Sequence, residues 1–165
     1  MILIGIDPGL QKTGWGIIET DGAALRHVGH GTIRPPLAGE MSERLAALSE
    51  GLEKIFGVYE PQAAAIEETY VNRNPSSSLK LGMARGAILV TLARKGLEIG
   101  EYAPALIKKS IVGRGQADKA QIGMMMKVLL PACGELSEDE ADALAVAVTH
   151  AHYLQSAAHM PSSMS

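Results

Sequence analysis

The sequence predicts an α/β fold in which helices flank a mixed five-stranded sheet. Short apolar runs bounded by Gly, Pro and Asp-Gly signals indicate strands, and longer segments with apolar residues three and four apart indicate helices. The length of 165 residues fits one domain, and 47% apolar residues suffice for a hydrophobic core. We expect a single domain over residues 1–156 and a flexible C-terminal tail over 157–165.

Three predicted strands open the chain. Residues 1–7 (MILIGID) form an apolar run, and a second run extends from Trp15 to Glu19. Asp21-Gly22 is a hairpin turn signal, after which Ala24 to Ile33 returns as the third strand. Strands joined by short turns pair antiparallel, so this opening predicts a meander.

Helices and strands alternate in the middle of the chain. Apolar residues at helical spacing predict a helix that starts near Ser42 as its N-cap, and Gln62 to Glu67 is predicted as the next strand. The serines after Pro75 are predicted caps for a helix that ends at about Lys95. Residues 97–102 then predict the fifth strand, which completes the sheet.

The last third of the chain is predicted to be helical. Pro104 suits the first turn of a short helix that ends before Gly113, and residues 117–130 give a second helix. Ser137 and Glu140 form a capping box for a long alanine-rich helix from about Glu138 to Gln155. These helices are expected to cover the sheet.

Composition restricts the class of protein. The single cysteine, Cys133, excludes an internal disulfide and a zinc site built from clustered cysteines, and it agrees with a reducing cytoplasm. The N-terminal apolar run has no basic region before it and meets Asp7, so it predicts a buried strand rather than a signal peptide. No run approaches the roughly 18 apolar residues of a membrane span. We therefore expect a cytoplasmic protein.

Charge is segregated along the chain. Residues 1–71 contain 5 Lys/Arg and 10 Asp/Glu, residues 72–127 contain 10 and 3, and residues 128–165 contain 0 and 5. A basic block between two acidic blocks predicts a local face for a polyanion, although a solvated basic surface gives the same pattern. Nucleic acid is accordingly one candidate ligand.

Four carboxylates follow a repeated pattern. Asp7 and Glu67 each end an apolar strand, while Asp139 and Asp142 lie three apart on one face of the last predicted helix. Together they could form an oxygen-only site for a pair of Mg²⁺ or Mn²⁺ ions that cleaves phosphodiesters. Individually, each has a structural alternative: a favourable charge at a helix N-terminus, a salt bridge, or a cap on a turn. A phosphate-gripping hairpin in GIDPGLQKTGWG, as in sugar kinases, is a further alternative, but those enzymes need two such lobes.

The chain resembles a known family, the RuvC Holliday-junction endonucleases of bacteria, which have a ribonuclease-H-like fold. The resemblance covers nearly the whole chain in the family's order. Its segments are GIDPG at 5–9, TGWG at 13–16, AIE at 65–67, SLKLGMARG at 78–86, KKSIVGRGQADKAQ at 108–121 and DEADALAVAVTHAH at 139–152.

The resemblance implies an activity and a set of site residues. It implies a homodimer that resolves four-way DNA junctions by paired symmetric nicks in recombination and repair, with two Mg²⁺ per subunit, Mn²⁺ as a substitute, and RuvAB as a partner. The implied metal ligands are Asp7, Glu67, Asp139 and Asp142, which with Lys119 form the implied catalytic set. The implied DNA contacts are Tyr70, which would stack on unpaired bases, and Arg73, Lys108, Gly113, Arg114, Gly115 and Lys119. A non-catalytic junction-binding dimer and a same-fold nuclease for structured RNA are the alternatives.

Overall fold

A computed structural model describes residues 1–69, 74–113 and 115–159. Five strands and five α-helices are found in this part of the chain, with one short 3₁₀ turn at Pro131–Cys133. In chain order they are β1 (Ile2–Asp7), β2 (Thr13–Asp21), β3 (Ala24–Ile33), α1 (Met41–Tyr59), β4 (Ala63–Glu67), α2 (Pro75–Arg94), β5 (Glu98–Tyr102), α3 (Pro104–Val112), α4 (Lys119–Leu129) and α5 (Glu138–His159).

The five strands form one mixed sheet in the order β3-β2-β1-β4-β5. β1, β2 and β3 pair antiparallel as the predicted meander, whereas β4 pairs parallel to β1 on one side and to β5 on the other. The carboxyl ends of β1 and β4 therefore lie side by side. This topology confirms the predicted mixed five-stranded sheet and brings two strand-end acids to the same edge.

Apolar cores cover both faces of the sheet. Ile4, Ile6 and Ile17 point to the face covered by α1 and α2. Leu3 and Ile18 point to the other face, which α3, α4 and α5 cover. The alternation of neighbouring residues between the two cores is the two-residue period of a strand that is buried on both sides.

Helix α5 lies unusually close to the sheet. A Cβ atom added to Gly5 of β1 would lie 2.2 Å from the carbonyl oxygen of Ala143 and 2.4 Å from the amide nitrogen of Ala147. The small side chains of the alanine-rich helix allow this approach, and the contact needs glycine on the strand as well as alanine on the helix. It fixes α5 directly over β1.

Three helix boundaries differ from prediction. The N-cap of α1 is Glu40 rather than Ser42, and the backbone N–H of Glu40 donates to Glu43 Oε2 at 3.3 Å. The N-cap of α2 is Asn74 rather than a serine, because its side chain accepts hydrogen bonds from the amides of Ser76 and Ser77 while Pro75 fills the first helical position. Helix α5 continues past Gln155 to His159, so residues 157–159 of the predicted tail belong to the helix. The rest of the predicted tail, 160–165, lies outside the described residues.

Candidate active site

Two strand ends and one helix start bring the predicted carboxylates together. Asp7 ends β1, and Glu67 follows Ile66, which pairs with Ile6 in the parallel ladder between β1 and β4. The two acids consequently emerge from neighbouring strands at the same edge of the sheet. The two carboxyl groups lie close enough to interact with one another.

The start of α5 is fixed next to this pair. Gly14 of β2 is the register partner of Asp7, and a Cβ on Gly14 would lie 2.2 Å from the carbonyl oxygen of Asp139. The predicted capping box begins the helix there: the Ser137 amide donates to Glu140 Oε2 at 2.7 Å, and the Glu140 amide donates to the Ser137 hydroxyl at 3.4 Å. The helix start therefore presents its acids to the edge where Asp7 and Glu67 emerge.

The clustering changes the protonation of the carboxylates. Burial, followed by repulsion from Glu67 and Asp142, raises the pKa of Asp7 to about 8. Burial and then the charge of Asp142 raise the pKa of Glu67, and burial raises the pKa of Asp142 against the lowering effect of Lys119. At neutral pH this cluster holds a proton that bound cations would displace.

Two lysines compensate part of the negative charge. Lys12 Nζ lies 2.6 Å from Asp139 Oδ2. Lys119 Nζ lies 3.7 Å from Asp142 Oδ2 and donates to Glu138 Oε2 at 3.0 Å, and this hydrogen bond raises the pKa of Lys119. The cluster thus has a positively charged group on each side.

Two adjacent cavities divide the four acids between them. Glu67 and Asp142 line a cavity of about 160 Å³ together with Lys108 and Lys119. Asp7 and Asp139 line a second cavity of about 450 Å³ together with Lys12 and polar groups from the loop after β1 and from α2. Asp7 and Glu67 interact electrostatically although they line different cavities.

The donor set suits a hard divalent cation. All four groups offer carboxylate oxygens, the ligands that Mg²⁺ and Mn²⁺ prefer. Within residues 1–69, 74–113 and 115–159, no three His, Cys, Asp or Glu side chains already have the arrangement of a metal site. The ammonium groups of Lys12 and Lys119, which lie beside Asp139 and Asp142, neutralise part of the negative charge instead. The residues fit the cation by chemistry and by clustering, and their assignment as ligands stays a prediction.

Comparison with known proteins identifies the family. The family model described as crossover junction endodeoxyribonuclease RuvC matches residues 3–150. The chain belongs to the RuvC family. The resemblance recognised in the sequence motifs is thereby confirmed.

RuvC proteins of two bacteria are similar to this chain over most of their length. The crossover junction endodeoxyribonuclease RuvC of Azorhizobium caulinodans is 56% identical over 151 residues, which are 92% of this chain and 89% of that protein. The protein of the same name from Paramagnetospirillum magneticum is 52% identical over 153 residues, covering 93% of this chain and 92% of its own length. The similarity thus extends over about nine tenths of this chain and of each of these RuvC proteins.

A solved RuvC structure has the same fold. The structure of T. thermophilus RuvC in complex with Holliday junction substrate aligns with a TM-score of 0.88 at 28% identity, covering 95% of this chain and 96% of that one. The predicted α/β fold with a mixed sheet is confirmed by this match. Among the described helices, none combines the length and apolar character needed to cross a bilayer.

The DNA contacts implied by the RuvC resemblance are only partly described. Tyr70, Arg73 and Arg114 lie outside the described residues. Lys108 and Lys119 line the smaller cavity of the acidic cluster, and their contact with DNA stays a prediction.

The two glycines predicted to approach phosphate lie at and just after the end of α3. Gly113 caps the helix with a positive φ of 82°, and its amide donates to the carbonyl oxygen of Lys109 at 2.9 Å. The left-handed conformation thus gives a second, structural reason for glycine at this position. The predicted roles of Gly113 and Gly115 at phosphate stay predictions.

Two site residues were missed in the sequence. The sequence suggests a role for Lys12 only in a kinase-like hairpin, and it suggests none for Glu138. In the structure, Lys12 pairs with Asp139 and Glu138 pairs with Lys119. The signal for Lys12 was its place in the loop between β1 and β2, which must cross the edge where Asp7 emerges. Glu138 lies one position before Asp139, so any cation that approaches this helix start meets it.

Proposed function

We propose that this protein resolves four-way DNA junctions by paired symmetric nicks in homologous recombination and DNA repair. The observation that carries the proposal is the convergence of Asp7, Glu67 and Asp142, with Asp139 beside them, at one edge of the sheet. The junction-bound T. thermophilus RuvC of the same fold supports the choice of substrate.

The four carboxylates would hold two Mg²⁺ ions per subunit, with Mn²⁺ as a substitute. When bound there, the ions would supply the Lewis acidity that activates a water and stabilises the leaving 3′ oxygen. The division of the acids into two adjacent cavities, Asp7 with Asp139 and Glu67 with Asp142, supports two cation positions. Water would attack the phosphorus in line, and the bond to the 3′ oxygen would break to leave a 5′-phosphate and a 3′-hydroxyl end.

Lys119 and Lys108 would serve the phosphate that is cleaved. The Lys119 ammonium lies beside Asp142 and its side chain is 61% exposed, so it can contact a DNA phosphate and neutralise charge that develops on the phosphoryl oxygens. Lys108 lines the same cavity. Tyr70, Arg73, Arg114 and the Gly115 backbone complete the proposed DNA surface, in which Tyr70 stacks on unpaired bases at the junction centre.

A homodimer would supply two sites for the two cuts. An isologous pair of subunits presents two equivalent sites related by a two-fold axis, as symmetric nicking requires. The exposed apolar side chains of α2 support a role for this helix in the interface: Leu79 is 62% exposed, Val90 is 58% exposed, and Met83 lies between them. Family membership also supports association with the RuvAB branch-migration complex in the cytoplasm.

Cleavage of three substrates tests the proposal. The purified protein is incubated in Mg²⁺ with a mobile four-way junction, a linear duplex and a structured RNA, and an Asp7→Asn variant is assayed in parallel. We expect paired nicks on the junction alone, and junction binding without nicking by the variant. Binding with no metal-dependent nicking by the intact protein would identify a non-catalytic junction-binding dimer, and preferential RNA cleavage would identify a nuclease of the same fold for structured RNA.

A further inference from the structure

Two histidines on β3 meet because the strand contains a β-bulge. The register between β2 and β3 pairs Ile17 with Gly29 but Ile18 with His27, which leaves Val28 as an extra residue on β3. A strand without the bulge would direct residues 27 and 30 to opposite faces of the sheet. The extra residue brings them to the same face instead.

The surroundings of the strand agree with this geometry. Val28 packs on the core below α1 and α2, and a Cβ on Gly29 would meet the Tyr59 hydroxyl of α1 at 2.7 Å. His27 and His30 lie on the opposite face, where their register partners on β2 are Ile18 and Gly16. Neither partner offers a polar side chain that would compete for the imidazole nitrogens.

The two imidazole rings have the spacing of a chelate. His27 Nε2 lies 2.8 Å from His30 Nδ1, and the ring centroids are 5.0 Å apart at an interplanar angle of 49°. Two nitrogens bound to one tetrahedral or octahedral ion at about 2.0–2.1 Å are separated by about 2.9–3.4 Å. To admit an ion, the nitrogens would separate by a few tenths of an ångström and the rings would turn so that both lone pairs point at it.

Burial favours the neutral form that a metal requires. Partial burial, followed by the neighbouring His30, lowers the pKa of His27, so its lone pair is available at neutral pH. The hydrogen bond between the rings itself requires one nitrogen to accept. An ion bound to both nitrogens would replace that single shared proton.

We propose that His27 and His30 form a binding site for a borderline-soft divalent cation, Zn²⁺, Ni²⁺ or Cu²⁺, separate from the carboxylate cluster. Imidazole nitrogen suits these ions, whereas Mg²⁺ prefers oxygen ligands, so the two sites select different metals. No third His, Cys, Asp or Glu joins the pair among the residues that the structure describes. Water fills the remaining coordination positions, which makes the site open and exchangeable.

Zinc binding to matched variants tests the site. Equilibrium dialysis and calorimetry with Zn²⁺ in excess Mg²⁺ are applied to the full chain and to His27→Gln, His30→Gln, His152→Gln, Cys133→Ser and Asp7→Asn. We expect one Zn²⁺ per chain, affinity reduced by about tenfold or more in each of the first two variants, and no loss in the other three. Unchanged binding in His27→Gln and His30→Gln, or binding lost only in Asp7→Asn or Cys133→Ser, would overturn the proposal.

A spectroscopic measurement on the unmodified chain makes the test independent of variant folding. Electron paramagnetic resonance of one bound Cu²⁺ should show coupling to two imidazole nitrogens. A spectrum with oxygen ligands only would place the ion at the carboxylates and contradict the proposal. Because neither readout measures DNA cleavage, failure here leaves the proposed nuclease function untouched.

Discussion

The first turns of α5 and the turns that follow differ in how they are stabilised. Asp139 and Asp142 lie in a cluster where repulsion and burial raise the pKa of nearby carboxylates, whereas Ala143 and Ala147 pack directly on Gly5 of β1. Clustered like charges oppose folding, and close apolar packing favours it. The comparison indicates that the packed segment of α5, around Ala143 and Ala147, holds the acidic segment, around Asp139 and Asp142, in place. Substitutions among the acids should therefore affect mainly activity, and substitutions at the packed contact should affect mainly stability.

The largest expected effect comes from Asp7→Asn. The amide has nearly the size and shape of the carboxyl group, but it carries no negative charge for a metal ion. We expect nicking to fall by about 10³-fold or more, the factor that corresponds to several kcal/mol of transition-state stabilisation. Gel assays of junction cleavage and of junction binding should show the loss in cleavage alone.

An exposed acid provides the control for Asp7→Asn. Asp21 lies at the exposed end of β2, away from the cluster, and Asp21→Asn should cleave at the normal rate. Thermal unfolding should show Asp7→Asn to be at least as stable as the unmodified protein, since the amide is neutral at every pH and cannot add to the repulsion among the clustered carboxylates. Normal cleavage by Asp7→Asn would remove that residue from the site.

Gly5→Ala should have the opposite profile, because it attacks the packed segment. The added Cβ would lie 2.2 Å from the Ala143 carbonyl oxygen, so helix and strand must separate. We expect a loss of about 3 kcal/mol in the free energy of unfolding, at the upper end of overpacking costs. Urea unfolding measures it, and cleavage should fall as well, since α5 carries two of the acids.

Gly57→Ala in α1 is the matched control for this substitution. Within the described part of the chain, nothing lies within 4 Å of a Cβ at Gly57. Alanine should therefore stabilise the helix by about 0.5–1 kcal/mol through its higher helix propensity. Equal effects of the two substitutions would mean that α5 does not depend on its contact with β1.

Lys119→Met should reduce activity with a smaller factor than Asp7→Asn. Its ammonium lies 3.7 Å from Asp142, where the proposed function places the phosphoryl group, and loss of one group that stabilises developing charge typically costs about 10²-fold in rate. Single-turnover cleavage measures the rate. Lys127, on the same helix and paired with Glu135 at 2.8 Å, gives the control: Lys127→Met should leave the rate unchanged within about twofold.

The fold was largely predictable because its signals are local. Strand β3 has the predicted bounds, Ala24–Ile33, and the capping box of Ser137 and Glu140 begins α5 as expected. Asp7 and Glu67 could be grouped because each ends an apolar strand, and parallel neighbours end at the same edge of a sheet.

The remaining features depend on register and on competition between caps, which local patterns do not reveal. The bulge at Val28 reverses the facing of every later residue on β3, so the proximity of His27 and His30 follows from pairing with β2 and not from their spacing. Ser42 was predicted as a cap because of its residue type, but the chain already turns at Glu40. Lys12 reaches Asp139 only because Gly14 lets α5 approach β2.

The smallest expected effect concerns His150 of α5, through which the free energy of unfolding should depend on pH. His150 is buried, and the Tyr102 hydroxyl lies 2.7 Å from its Nδ1. Its Nε2 has no hydrogen-bond partner among the described residues. Glu98 is the charged group that acts on the ring. Burial lowers the pKa of His150 below its ordinary 6.5, so on acidification the unfolded chain takes up a proton before the folded one does. The contribution of His150 to the free energy of unfolding should therefore be constant above about pH 6.5 and decrease as the pH falls below that value.

Urea unfolding between about pH 5 and 8 measures how the free energy of unfolding changes with pH. His150→Gln should reduce this pH dependence more than His152→Gln does, because His152 is less buried and has the Ser110 hydroxyl 3.1 Å from its Nδ1. An unchanged slope in His150→Gln would mean that acid sensitivity originates elsewhere, with the acidic cluster at the other end of the helix as the first region to examine.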